Sequence, residues 1–201
     1  MSNLFKHASR QLRSSRKALI VLSAIVLYAV PFLFFKGFSE GAAYIKFDGI
    51  DGESLDKDHK GWSDLLSFGF GISRQTGTDG KVFPKVEIEV TGITKPIDKS
   101  TPILMTMCAN PDGLPTGSVE YSKEIRGERQ TYLKLELKDV IVSSYQFGSS
   151  MTRVDEDLIP VDAVSLNFRE VTMTYIPFDP ETGDPMEPVV GVCRLGETPP
   201  Q

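Results

Sequence analysis

Short runs in which apolar and polar residues strictly alternate are the feature that most constrains how this chain of 201 residues folds. Successive side chains of a β-strand point to opposite faces of the sheet, so such a run is typical of a strand with one buried face. The clearest runs begin at Leu66, Val86 and Leu133, and clusters of Gly, Pro and Asp separate them. The sequence therefore predicts an all-β domain whose strands are mainly antiparallel.

The last long alternating run changes phase. Its apolar residues stand at even positions as far as Phe168 and at odd positions from Val171 onward. Because a regular strand cannot change the set of positions that faces the core, we predict a bulge or a sharp bend near Arg169 and Glu170. A bend of that kind lets one strand serve two sheets, which favours a small closed β-barrel over a flat meander.

One short α-helix is predicted in the middle of the chain. Ser100 and Thr101 offer capping hydroxyl groups, Pro102 suits the first helical turn, and no helix-breaking residue follows until the end of the segment before Pro111. The dipeptide Asp79-Gly80, which stands between two alternating runs, is typical of a hairpin turn. The barrel is thus expected to carry one helix on its flank.

Residues 18–35 contain no charged side chain and follow a basic tail, residues 1–17. A helix of this length is about 27 Å long, close to the thickness of the hydrocarbon layer of a membrane. Three interpretations remain open: an uncleaved membrane anchor, a signal peptide cleaved near residues 41–43, and a buried core helix. Since cationic flanks stay in the cytoplasm, we expect a single-pass membrane-anchored protein with its barrel outside the cytoplasm, or an exported protein after cleavage.

The predicted organisation is a basic amino-terminal tail (1–17), a hydrophobic signal or anchor segment (18–38), a β-barrel domain (42–196) and a disordered tail (197–201). Residues 1–41 carry a net charge of +5 and the whole chain carries −5, so the remainder carries the difference, −10. An anionic domain without clusters of Lys and Arg repels phosphate backbones. Nucleic acid is therefore not an expected partner.

Histidine usage argues against catalysis. The chain has two histidines, His7 in the basic tail and His59 in the segment Asp56–Lys60, which we predict to be an exposed loop. The sequence places no nucleophilic Ser or Cys beside His59, and a zinc site requires several Cys or His ligands. We therefore predict no catalytic residue, no metal ligand and no cofactor, and we expect that the protein is not an enzyme.

Five acidic residues lie between positions 48 and 58. A calcium-binding loop of the EF type that started at Asp56 would need an acid or amide at its fifth position and Glu at its twelfth. The chain has Lys60 and Ser67 at those positions. The pattern fails, so we predict a solvated acidic loop.

Four small residues occupy one side of the strand that the sequence predicts after Leu66. They are Ser67, Gly69, Gly71 and Ser73. Small side chains allow another backbone or sheet to approach closely. Two interpretations remain open: these residues are a candidate subunit-contact face, or they reflect the curvature of a barrel wall.

Cys108 and Cys193 are the two cysteines of the chain. An exported domain would permit a disulfide bond between them. Unpaired, each would behave as a small hydrophobic residue. The sequence leaves both interpretations open.

Three separated phrases carry a family resemblance: Phe47–Ser54 (FDGIDGES), Ile97–Met105 (IDKSTPILM) and Val164–Phe168 (VSLNF). Their order and spacing resemble those of the haemolysin co-regulated protein (Hcp) family, the bacterial tube subunits of type VI secretion systems. The resemblance implies a small β-barrel of two packed sheets with one short flanking α-helix. It also implies a long strand pair or a bent strand across residues 131–144.

The function implied by the resemblance is structural. Members of the family form hexameric rings that stack into a hollow tube. The expected partner is thus a second copy of the chain, with the spike protein, the sheath and effectors of the secretion apparatus as further partners. The alternative is a membrane-tethered or exported β-barrel adaptor, a binding module that uses the same fold and forms no tube. In either case residues 18–35 supply the expected membrane contact.

Overall fold

The computed structural model describes residues 41–76, 82–110, 113–154 and 157–195. The predicted amino-terminal tail and hydrophobic segment, the hairpin turn at Asp79-Gly80 and the carboxyl-terminal tail lie outside the described residues. Within the described ranges, no helix is both long enough and apolar enough to cross a membrane.

Nine β-strands and one α-helix make up the regular structure of the described residues. Every strand pairing among them is antiparallel. The prediction of a mainly antiparallel all-β domain with one short helix is therefore confirmed. In chain order the elements are β1 (Ala42–Phe47), β2 (Ser63–Leu65), β3 (Ser67–Thr76), β4 (Val82–Pro96), α1 (Thr101–Ala109), β5 (Leu114–Ile125), β6 (Glu128–Val154), β7 (Asp157–Asn167), β8 (Glu170–Tyr175) and β9 (Val189–Arg194).

The strands form two sheets that share β6. Sheet A has the order β2-β1-β5-β6-β8-β9, and sheet B has the order β3-β4-β7-β6. Residues 128–140 of β6 pair with β5 and in part with β8, and residues 141–154 pair with β7. The strand passes between the sheets near Asp139, whose φ of 52° lies in the left-handed region that Asp tolerates better than most residues. The bent strand implied across residues 131–144 is confirmed.

The predicted bend near Arg169 and Glu170 is also confirmed. Two residues separate the end of β7 in sheet B from the start of β8 in sheet A. The amide of Arg169 donates a hydrogen bond of 2.9 Å to the carbonyl oxygen of Lys138, beside the bend of β6. The alternation changes phase here because Leu166 enters the core from sheet B and Val171 enters it from sheet A, with Phe168 in the connection between them.

The hydrophobic core lies between the two sheets, and Leu104 of α1 completes it. Each fully buried Leu or Val side chain contributes roughly 1.5–3 kcal/mol relative to an exposed one. The alternation of the sequence is thus the inward and outward pattern of a barrel wall. The most deeply buried apolar residues of the strands are Ile45, Ile93, Val119, Leu135, Leu137, Val140, Val161, Val164 and Leu166.

α1 has its predicted bounds and its predicted proline, but its start is built differently. Ser100 makes no side-chain hydrogen bond to a helix amide. Its hydroxyl donates instead to Oδ1 of Asp98 at 2.6 Å. Ser100 has helical backbone angles (φ −74°, ψ −24°), whereas a capping residue is non-helical, so its hydroxyl is not placed to accept from a helix amide. The predicted capping role of the Ser100 hydroxyl is therefore wrong.

Candidate contact surfaces and buried polar clusters

The four small residues of the predicted contact face all belong to β3, and the register with β4 shifts between Gly69 and Gly71. Ser67 and Gly69 are exposed, whereas Gly71 and Ser73 are half-buried. A Cβ atom added to Gly69 would have no neighbour within 4 Å. Among the described residues, packing within the subunit therefore gives no reason for a glycine at this position.

The face continues from β3 across the whole of sheet B. The backbone register aligns residues of β3, β4, β7 and β6, mostly small ones, in two adjacent rows, and an open groove of about 430 Å³ lies over them. The sequence revealed only the part on β3, because the register between strands that are distant in the chain cannot be read from one strand. We call these eight residues the small-residue surface: Ser67, Gly69, Gly92, Thr94, Ser144, Gln146, Ala163 and Ser165.

β9 is an edge strand of sheet A, and within the described ranges β8 is its only partner. Val189 is 65 % exposed, and Val190 and Val192 on the opposite face are also exposed. Edge strands of soluble proteins are usually protected by a charge, a proline or a bulge. No charge and no proline occurs in residues 189–193. We call the exposed apolar residues on the two faces of this strand pair the β8–β9 patch: Met173, Tyr175 and Val189 on one face, and Val190 and Val192 on the other.

A second group of exposed apolar side chains lies on sheet B, near the tip of the hairpin that β6 and β7 form. Phe147 is 62 % exposed. Single exposed apolar residues are common, but groups of them mark interaction surfaces. The subunit therefore presents two apolar patches on different sheets. We call the second one the tip patch: Phe147, Met151, Val154 and Leu158.

His59 is buried, which makes the predicted exposed position wrong. Its residue exposure is 3 %. The ring stacks on Tyr44 with a centroid distance of 3.9 Å and meets the edge of Trp62 at 5.1 Å. Nδ1 lies 2.8 Å from Oδ1 of Asp56, and Nε2 lies 3.1 Å from Oε2 of Glu120 on β5. The residues next to His59 in the sequence are strongly polar, which is typical of an exposed loop. Its partner Glu120 is too distant in the chain for a sequence pattern to reveal the contact.

The two carboxyl groups beside His59 are stabilised in their ionised form. Burial raises the pKa of Asp56, but hydrogen bonds from His59 and from the amide of Asp58 outweigh it and leave the pKa below its ordinary value. Burial likewise raises the pKa of Glu120, and hydrogen bonds from Lys134 and His59 more than offset it. Both groups are thus carboxylates at neutral pH. We call this set the His59 cluster.

A second polar cluster lies around Lys95, which is fully buried. Its ammonium group donates to Oδ1 of Asp98 at 2.8 Å and to Oδ2 of Asp162 at 3.4 Å. Asp162, also fully buried, accepts further hydrogen bonds from Thr101 and Tyr145. This Lys95 cluster ties the start of α1 to β4, β6 and β7.

The ionisable groups of the Lys95 cluster respond to burial and to each other. Burial raises the pKa of Asp98, but hydrogen bonds from Lys95 and Ser100 outweigh it, so the pKa lies below its ordinary value. Burial raises the pKa of Tyr145, and the carboxylate of Asp162 raises it further. Lys95 follows the buried Ile93 at an inward position of β4. The apolar run of the sequence at Val86, Ile88 and Val90 stands at even positions, so no sequence pattern marked Lys95 as buried.

No three His, Cys, Asp or Glu side chains among the described residues are arranged to hold a metal ion. Cys108 and Cys193 are both free thiols and are partly buried against the core. Of the two interpretations that the sequence left open for them, the structure has the unpaired one.

Two comparisons place the sequence among known proteins. Residues 44–175 match the model of a family described as type VI secretion system effector, Hcp. The chain is also 37 % identical over 138 residues to protein Hcp1 of Pseudomonas aeruginosa, a stretch that covers 67 % of this chain and 82 % of that protein. The range that the family model matches, residues 44–175, extends from β1 to the end of β8.

Solved structures share the fold. A structure described as that of a type six secretion system protein has a TM-score of 0.66 and 27 % identity, over 75 % of this chain and 92 % of that one. Hcp1 from Salmonella typhimurium has a TM-score of 0.60 and 24 % identity, over 77 % of this chain and 95 % of that one. These structures show the fold, and the two sequence matches mean that the chain belongs to the Hcp family of type VI secretion system proteins.

Proposed function

We propose that this protein is a structural ring-forming tube subunit of a type VI-like secretion system. Its copies would assemble into hexameric rings, and the rings would stack into a hollow tube that carries effectors. Membership of the Hcp family supports the proposal. The role is one of assembly, so it requires no catalytic residue and no cofactor.

The observation that carries the proposal is the pair of apolar patches on different sheets. A ring repeats one heterologous contact, so each subunit must offer two different surfaces to its neighbours. The β8–β9 patch and the tip patch are two such surfaces, since both expose apolar side chains outside the core. Covering the β8–β9 patch with a neighbour would also protect the open edge of β9.

We assign the small-residue surface to the same assembly as a further contact face. Its residues on β3, together with Gly71 and Ser73, would let the backbone of another subunit approach closely. The open space around Gly69 supports this assignment, because a larger side chain would fit the isolated subunit. A neighbouring subunit would supply the reason for the small residue.

The partners that follow are other copies of this chain and the spike protein, sheath and effectors of the secretion apparatus. Residues 18–35 would contact the membrane. The barrel would then lie outside the cytoplasm, either anchored or exported after cleavage. This localisation rests on the charge pattern of the amino-terminal sequence.

A mixing experiment with the full chain tests the heterologous contact. Val190→Glu disrupts the β8–β9 patch, and Phe147→Glu disrupts the tip patch. Each variant alone has one disrupted surface in every copy and is expected to sediment as a monomer. In an equimolar mixture, the intact tip patch of one variant meets the intact β8–β9 patch of the other, and a heterodimer is expected.

Met105→Glu is the matched control, because Met105 is an exposed apolar residue of α1 outside both patches. This variant is expected to keep the mass of the unmodified protein. If Val190→Glu and Phe147→Glu also keep that mass, the two patches are not the contact. If the unmodified chain is itself a monomer, the ring proposal is wrong.

A further inference from the structure

Leu55, in the loop between β1 and β2, is 91 % exposed, more than any other large apolar side chain among the described residues. The backbone on either side of it is fixed. The amide of Ser54 donates to the carbonyl oxygen of Trp62 at 2.8 Å, and Asp56 belongs to the His59 cluster. A partner that covers Leu55 would therefore pay little entropy to order it. We call residues 53–57 the Leu55 segment.

An open pocket of about 800 Å³ lies where β6 bends between the two sheets. Pockets of this volume bury ligands of drug size, which a few residues of a chain match. Two charged side chains, Arg169 and Asp139, stand at this pocket and are exposed. We call it the bend pocket, and its apolar lining consists of Leu114, Pro115, Ile141, Phe168 and Leu195.

The Leu55 segment and the bend pocket lie at opposite ends of the hairpin that β6 and β7 form. At the pocket end, Ile141 pairs with Asn167. At the other end, Val154 pairs with Asp157, and Val154 lines a small cavity together with Ser54 of the Leu55 segment. The 11 residues of β7 separate these ends by about 30 Å. The segment and the pocket of one subunit are therefore too far apart to meet.

The charges of the segment complement those of the pocket. Glu53 and Lys57 flank Leu55 and are exposed, and the amide of Lys99 fixes the Glu53 carboxylate by a hydrogen bond of 3.1 Å. The anion and the cation of the segment thus have the opposite partners, Arg169 and Asp139, at the bend pocket. Complementary charges of this kind select a partner and fix its register.

We infer that the Leu55 segment of one subunit docks in the bend pocket of a second copy of this chain, and that this head-to-tail contact stacks the rings. The inference rests on the proposed ring-forming function and adds the residues of the contact between rings. A heterologous contact between opposite ends of a subunit continues as an open array, as a tube requires. Docking covers Leu55 with the apolar lining of the pocket and brings Glu53 to Arg169.

Leu55→Glu in the full chain tests the contact, and Leu55→Met, which keeps an apolar side chain, is the matched control. Native mass spectrometry counts the chains in a ring, and electron microscopy of the same sample shows whether rings stack. The unmodified protein and Leu55→Met should form stacked rings, whereas Leu55→Glu should form single rings of six chains. Stacks in Leu55→Glu, or loss of its rings, would overturn the inference.

The unmodified chain separates the inference from the proposed function. Rings of six chains that do not stack at any protein concentration would overturn the inference and leave the ring proposal intact. Single chains at every concentration would overturn both.

Charge reversal is the second test. Glu53→Arg and Arg169→Glu each place like charges at the contact and should abolish stacking, because like charges repel a partner. The double variant restores an opposite pair and should stack again. Rings of six chains in all three variants show that the subunit is folded. Normal stacking in both single variants, or no recovery in the double variant, would overturn the pairing of this segment with this pocket.

Discussion

The interior of this domain holds charged side chains, and its exterior holds groups of apolar ones. Both arrangements are the reverse of what is usual in soluble proteins. Inside, Lys95 and His59 lie buried among carboxylates and are hydrogen-bonded to them. Outside, the β8–β9 patch and the tip patch hold apolar side chains in solvent. The interior clusters fasten a loop and a helix to the barrel, whereas the side chains of the exterior patches lie outside its core.

This difference predicts that substitutions in the two regions change different quantities. Removing one partner of a buried charge pair leaves the other charge in a medium of low dielectric constant, which lowers the free energy of unfolding. An exposed apolar side chain adds little to that free energy until a neighbour covers it, when burial contributes about 25 cal/mol per Å². Interior variants should lose stability, and exterior variants should lose assembly.

Lys95→Met is expected to have the largest effect on stability. It leaves the carboxylates of Asp98 and Asp162 buried without their cation, which should lower the free energy of unfolding by about 3–5 kcal/mol. Denaturant titration measures the change. The control is Lys138→Met, which breaks an ion pair whose lysine is 57 % exposed and should cost much less. Equal costs for the two variants would remove the distinction between interior and surface charges.

Two glycines give the next comparison. A Cβ atom at Gly52 would lie 2.2 Å from the carbonyl oxygen of Trp62, so Gly52→Ala must displace backbone and should cost about 1–3 kcal/mol. A Cβ atom at Gly69 meets nothing within 4 Å, so Gly69→Ala should change the free energy of unfolding by less than about 0.5 kcal/mol. Thermal unfolding compares the two. A large loss of stability in Gly69→Ala would contradict the assignment of that surface to contacts outside the subunit.

The dependence of the free energy of unfolding on acid pH is a smaller effect of the buried groups. The pKa of Asp98 in the folded domain lies below its ordinary value of 3.8, so its ionised form stabilises the fold above that pH. This contribution is lost as the pH falls through the lower folded value. Asp98→Asn should therefore flatten the fall in stability below about pH 3.8, measured by unfolding at a series of pH values. Leu104→Ala should lower stability at every pH and leave the slope unchanged, so an equal flattening there would count against the explanation.

Val190→Glu should have the smallest effect on stability. The side chain is 58 % exposed on an open edge, so the free energy of unfolding of the isolated subunit should change by less than about 0.5 kcal/mol. The same variant should lose the assembly. A destabilised monomer would indicate that β9 supports its own subunit more than the exposed surface suggests.

The strands, the helix and the bend near Arg169 could be predicted because each depends on a short local pattern. A period of two marks a barrel wall, and a change of phase marks the passage between sheets. Pro102 likewise located the first turn of the helix. These features require no knowledge of which strands are neighbours.

The buried clusters could not be predicted because they depend on partners distant in the chain. His59 stands in a charged segment that is typical of an exposed loop, and Glu120 is 61 residues away. Lys95 likewise has a partner, Asp162, that is 67 residues away. Only the β3 part of the small-residue surface was visible in the sequence, since its continuation depends on the register of β4, β7 and β6.

Native mass spectrometry of the full chain tests the central proposal most directly, because it counts subunits even when detergent is needed for residues 18–35. The proposed tube subunit predicts a dominant species of six chains of 22.2 kDa each, which Val190→Glu converts to single chains. A single chain at every protein concentration would contradict the proposal and would favour the adaptor that keeps the fold without the ring.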